Sequence, residues 1–129
     1  MKHIVQFLLA FVISFQFLVT GSAKASASEI DIDLMKFIEQ TNDSLGSNLM
    51  MNNQADAIED SEMLRELLLM VEEHFEVNSL NNQALKISNQ AVFISNDLRA
   101  SLYMNDVEKA KKIHVSLSEN CQACHKIFE

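Results

Sequence analysis

The chain has no proline and no tryptophan, and its 129 residues include only two glycines, one tyrosine and two cysteines. Without proline, nothing in the sequence forces a helix to kink or stop sharply. With so little glycine, the tight primed turns of β-hairpins lack the residues that build them. No stretch alternates apolar and polar side chains long enough to make a half-buried strand. Positive charge is scarce too: ten Lys and Arg stand against 18 Asp and Glu, a net charge of −8. Such a chain lacks the basic patch that nucleic acid or an anionic membrane surface requires. Any charged protein partner is expected to be basic. The two cysteines, Cys121 and Cys124, close too small a loop for a disulfide between them to staple the fold.

The N-terminus reads MKHIVQFLLAFVISFQFLVTGSAKASASE. A short basic start, an apolar run from Ile4 to Thr20 and small residues at Ala23-Lys24-Ala25 and Ala25-Ser26-Ala27 have the layout of a secretory signal peptide. The expectation is a signal over residues 1–27 and one mature domain over 28–129, exported and not held by a membrane after cleavage. Removing Lys2 and Lys24 takes no acid with them, so the mature part is more acidic still.

Helical spacing occurs four times. Ile30, Leu34, Ile38, Leu45 and Leu49 share one stripe, as do Leu64, Leu67, Leu68, Val71 and Phe75. A third stripe holds Ala84, Ile87, Ala91, Ile94 and Leu98; a fourth holds Ala110, Ile113, Leu117, Cys121, Cys124 and Phe128. The predicted helices run over about 29–51, 55–76, 80–103 and 106–128. Short polar joints separate them, and Asn105 with Glu108 reads as an N-cap with its reciprocal acid. Short joints force each helix back along the one before it. The predicted fold is an all-α, antiparallel up-down-up-down four-helix bundle.

The final residues, CQACHKIFE, hold both thiols. C-x-x-C-H is the attachment signature of c-type haem. On a helix, Cys121, Cys124 and His125 present to one side, so two thiols can add to the vinyl groups of one haem edge while the imidazole reaches iron. Zinc would need about four ligands, and only Cys121, Cys124 and either His125 or His114 are near. A thioredoxin-like motif belongs at the start of a helix after a strand, not in the last turns of a final helix.

With these residues in place the chain resembles the class II c-type cytochromes, the group containing cytochrome c prime and its low-spin relatives. The resemblance spans essentially the whole expected mature chain, although its specific part is Cys121-Gln122-Ala123-Cys124-His125. It implies a periplasmic protein with one covalently attached haem c near one end of the bundle. His125 would be the proximal iron ligand and Leu34, Phe37 and Ile38 would line the haem pocket. The family admits a homodimer through the first two helices, which the stripes here do not demand.

What faces the iron opposite His125 decides the function. Bundle topology puts Met50, Met51 and Met104 at the far end, about 22 Å away along the axis. Met63 sits near mid-helix. His114 is about 16 Å before His125 on the same helix and cannot share its iron. Met35, Met70 and His74 are level with the haem. The resemblance favours Met35, because low-spin members take their axial methionine from this early part of helix one, and DLMKFIEQTNDSL is similar to that region. His74, among Glu72, Glu73 and Glu76, reads as a solvated surface histidine. Methionine ligation implies a carrier of single electrons, with no enzymatic substrate and with basic redox proteins as partners. An open site would instead imply a five-coordinate protein binding NO or CO. Lys126 follows His125 directly, whereas gas-binding members usually carry their basic residue about one turn further on, which weakens that alternative.

Overall fold

The computed structural model describes residues 30–78 and 81–128. The expected signal segment, 1–27, lies outside them. Among the described residues there are four helices: α1 (Ile32–Met50), α2 (Gln54–Asn78), α3 (Asn82–Tyr103) and α4 (Val107–His125). There is no strand among the described residues. Nor is any described helix long and apolar enough to cross a membrane.

Local chemistry explains where the helices begin and end. The Asp31 carboxylate accepts from the Asp33 amide at 2.9 Å and starts α1. Asn81 does the same for α3, taking the amides of Gln83 and Ala84. Two helices stop in the same way. Asn52 and Asn105 adopt φ of 55° and 60°, the left-handed conformation that asparagine tolerates better than most residues. After α1, the Asn53 amide reaches back to the Asn48 carbonyl and the Asn52 amide to Leu49. After α3, the Asp106 amide reaches Ser101 and the Asn105 amide reaches Leu102. Both are Schellman endings, which satisfy carbonyls that a helix terminus would leave unpaired.

That ending moves one expected cap. Asn105 does not cap α4, because its backbone is committed to terminating α3. Asp106 caps instead, its carboxylate accepting from the Lys109 amide at 3.0 Å.

The four helices pack against each other, each on its neighbour in sequence, and α1 also meets α4 along a shorter seam. The core follows most of the expected stripes, but Ile30, Leu34, Ile87, Ile94, Ile113 and both cysteines are only partly buried, while Ala57 and Leu102, outside those stripes, are buried. Ile38, Leu45 and Leu49 are buried from α1, and Leu64, Leu67, Leu68, Val71 and Phe75 from α2. Ala84, Ala91, Leu98 and Leu102 follow from α3, then Ala110 and Leu117 from α4. Each large apolar side chain so buried contributes about 1.5–3 kcal/mol. Phe128, expected on the α4 stripe, is instead 57% exposed. The helix has ended at His125, so Phe128 no longer follows its periodicity.

Buried hydroxyls are satisfied within their own helices. Ser61, Ser88, Ser95 and Ser101 each donate to a carbonyl three or four residues earlier, and Thr41 donates to Phe37. Polar pairs fix the relative placement of neighbours. Ser44 and Asn48 both donate to the Asp60 carboxylate, and Arg65 Nε donates to Asn96 Oδ1 at 2.8 Å. Gln54 donates to the Leu102 carbonyl at 2.8 Å.

Candidate functional site

Every helix contributes to one cavity, of about 50 Å³. Helix α4 presents Asn120, Cys121, Cys124 and His125 to it, and α1 presents Met35 and Ile38. Leu68 and Val71 of α2, with Ile87, Ser88 and Ala91 of α3, complete the wall. The residues come from the core-facing sides of α2 and α3. On α4 they come from one face, because Cys124 and His125 lie three and four residues after Cys121.

The C-terminal turn is held in place from outside. The Phe128 ring stacks on Phe75 of α2, with centroids 5.8 Å apart and planes within 18°. Phe75 also takes His74 edge-on at 5.4 Å. Amides of Ile127 and Phe128 bond to the carbonyls of Cys124 and His125, closing the turn directly after the site.

Both thiols are partly buried and free. Burial pushes the Cys121 thiol above its ordinary pKa, and the neighbouring Cys124 adds to the rise. Burial does the same to Cys124. A redox-active pair needs the opposite shift, with a thiolate stabilised at a helix N-terminus or by a cation. These thiols sit in the last turns of α4, where burial shifts both the other way. Among the described residues, no three His, Cys, Asp or Glu side chains converge in a way that would hold a bare metal ion.

One polar atom in the cavity region is unaccounted for. The side-chain oxygen of Asn120 is buried without a hydrogen-bond partner. An orphaned amide oxygen costs about 1–3 kcal/mol and marks a place where a ligand group can be received. Nothing in the sequence pattern singles out Asn120 or Ser88, whose presence in the wall depends on the register of α3 against α4.

The other candidates are distributed around the molecule. Leu34 lies in a separate groove with Ile30, Met70 and His74, and Phe37 is 46% exposed. Neither is in the cavity wall; of the three expected pocket residues, Ile38 is there. Met70 is largely exposed. His74 is only partly exposed, with Nε2 buried and unpartnered, and is not the solvated side chain expected from its acidic neighbours. Met50, Met51, Met63 and Met104 are all exposed. His114 turns its ring onto α1, where Nε2 lies 3.1 Å from the Asn42 carbonyl.

No protein-family model, no curated protein and no solved structure matches the chain.

Proposed function

We propose that this chain is an exported monohaem c-type cytochrome that carries single electrons. The observation that carries the reading is that Met35 and His125 line the same cavity as both cysteines. The finer topology that goes with it is an up-down-up-down antiparallel bundle. The pairings of Ser44 and Asn48 with Asp60, of Gln54 with Leu102 and of Arg65 with Asn96 suit that order.

The donor set fits haem c. Cys121 and Cys124 would form the thioether links, His125 would be the proximal ligand and Met35 the distal one. When bound, haem c supplies a one-electron iron couple, whose potential methionine ligation raises. The chain's own part is to bind, orient and enclose. Ile38, Leu68, Val71 and Ala91 exclude water from the site. The stack of Phe128 on Phe75 fixes the turn that follows His125, and so restrains the histidine's backbone. The acid-rich surface suits a basic redox partner and would steer its approach, an effect that salt weakens.

The test is an absorption spectrum of protein made with a working haem-attachment system, oxidised and reduced, before and after carbon monoxide. A low-spin spectrum with the long-wavelength band of methionine–iron ligation, unmoved by carbon monoxide, supports the carrier. A high-spin spectrum that shifts at once with carbon monoxide replaces it with the gas-binding reading. No Soret band at all removes both.

A further inference from the structure

The outer face of α2 has a pattern that the cavity does not use. Glu59, Met63, Glu66, Met70, Glu73 and Val77 follow each other at alternating spacings of four and three residues, and all are exposed. That spacing keeps side chains on one stripe of a helix across successive heptads. Acids take one heptad position and apolar side chains the other. The stripe is about 27 Å long at 1.5 Å per residue. Met63, Met70 and Val77 are 42%, 53% and 73% exposed.

The apolar surface continues onto α1. Phe37 lies two turns before Ser44, on the flank of α1 that meets α2 through the Ser44–Asp60 bond. It is exposed there, outside the cavity wall. The groove lined by Ile30, Leu34, Met70 and Val77 bridges the two helices beside it. Single exposed apolar side chains need no explanation, but a row of them spanning two helices marks a contact surface. Methionine suits such a surface, since its flexible thioether adapts to what lies against it.

Charge selects the occupant. Each apolar position on the stripe is followed or preceded by glutamate, and no lysine or arginine interrupts it. The cations beside this surface are Arg65, which Glu66 and Asn96 engage, Arg99, across a groove bordered by Glu59, Glu62 and Glu66, and Lys36 of α1, which Asp33 pairs at 3.6 Å. A second copy of this chain, paired about a two-fold axis, would bring the same acidic stripe against itself. Like charges placed in that way oppose association. A basic partner gains from the same arrangement.

We propose that the outer face of α1 and α2, centred on Phe37, Met63 and Met70, docks a helix of another protein that alternates apolar and basic side chains at three- and four-residue spacing. The proposal gives the basic partner inferred above a surface, yet it rests on none of the haem chemistry and holds whether or not the cysteines carry a cofactor.

The experiment uses the full exported protein and a synthetic helical peptide with leucine and arginine alternating at three- and four-residue spacing over three heptads. Binding is followed by calorimetry at low and moderate salt. Met70→Ser and Glu66→Gln are each expected to weaken binding at least tenfold. Glu39→Gln, on another face, removes the same charge, and Phe93→Ser removes an exposed aromatic from α3; both should change affinity less than twofold. Circular dichroism of each variant confirms that it is folded. Equal losses from all four substitutions would mean general stickiness and overturn the proposal, as would absence of binding. Sedimentation that reveals a dimer dispersed by Met70→Ser would also overturn it, because the occupant would then be a second copy.

Discussion

The ring of His114 occupies the space where a side chain on Gly46 would begin. A β-carbon built on Gly46 comes within 2.9 Å of His114 Cε1, closer than such atoms approach in real structures. This glycine lies inside α1, where glycine ordinarily costs about 0.5–1 kcal/mol relative to alanine. Its use is steric. The notch admits the imidazole, which then lies 3.1 Å from the Asn42 carbonyl and joins α4 to α1.

Gly46→Ala is therefore expected to destabilise by about 1–3 kcal/mol, the usual cost of overpacking, although helix propensity alone predicts a gain. Urea denaturation measures it. In a His114→Ala background the same substitution should become neutral or stabilising. A loss that persists without the ring would place the strain elsewhere.

Phe75 and Phe128 should be coupled. Phe75→Ala opens the core and is expected to cost about 3–5 kcal/mol. Phe128→Ala removes an exposed ring and should cost less. A double-mutant cycle is expected to return about 0.5–1.5 kcal/mol for the stacked pair. A coupling indistinguishable from zero would mean that the C-terminal turn is not held by that stack.

Tyr103 offers a titration that can be assigned without ambiguity, as it is the only tyrosine and there is no tryptophan. Its phenol donates to the Glu62 carboxylate, and that bond, with smaller contributions from burial and from the carboxylate's charge, raises its pKa above 10.0. Tyrosinate absorbance should therefore appear at higher pH than for a free tyrosine, and Glu62→Ala should bring it back down. Because the folded value is the raised one, any stability from this bond is complete below the unfolded pKa and is lost as pH climbs through the folded pKa. An unshifted titration in the parent chain would show that the bond does not persist in solution.

The two left-handed asparagines make a paired prediction. Asn52→Gly and Asn105→Gly should leave thermal stability unchanged or raise it, since glycine takes this conformation without steric cost. Asn52→Ala and Asn105→Ala should each lower stability by about 1–2 kcal/mol. Melting temperatures of the four variants decide it.

How much of this was legible beforehand depended on whether a feature repeats. Core positions recur every turn, so Leu64, Leu67, Leu68, Val71 and Phe75 declare themselves on α2 by periodicity. Caps are single events, and Asn105 carries the same local chemistry whether it ends one helix or starts the next; only the backbone bonds of Asp106 and Asn105 to Ser101 and Leu102 distinguish them. Phe37 and Ile38 are neighbours in sequence, yet adjacent residues on a helix point about 100° apart. One faces the cavity and the other faces water. Ser88 and Asn120 were not legible as cavity residues because their place there is set by how α3 meets α4. The notch at Gly46 was hidden for the same reason: its partner is far away in the chain.

The shorter seam between α1 and α4 has a consequence for how the molecule could admit anything larger than its present cavity. Met35 and Ile38 stand on one side of that seam, and Cys121, Cys124 and His125 on the other. Parting α1 from α4 would expose all five at once while leaving the other three helix pairs engaged. Loading would then be a matter of local opening rather than global unfolding, with the His114–Asn42 contact as its fastening. Amide protons along this edge would exchange with solvent ahead of those between α2 and α3.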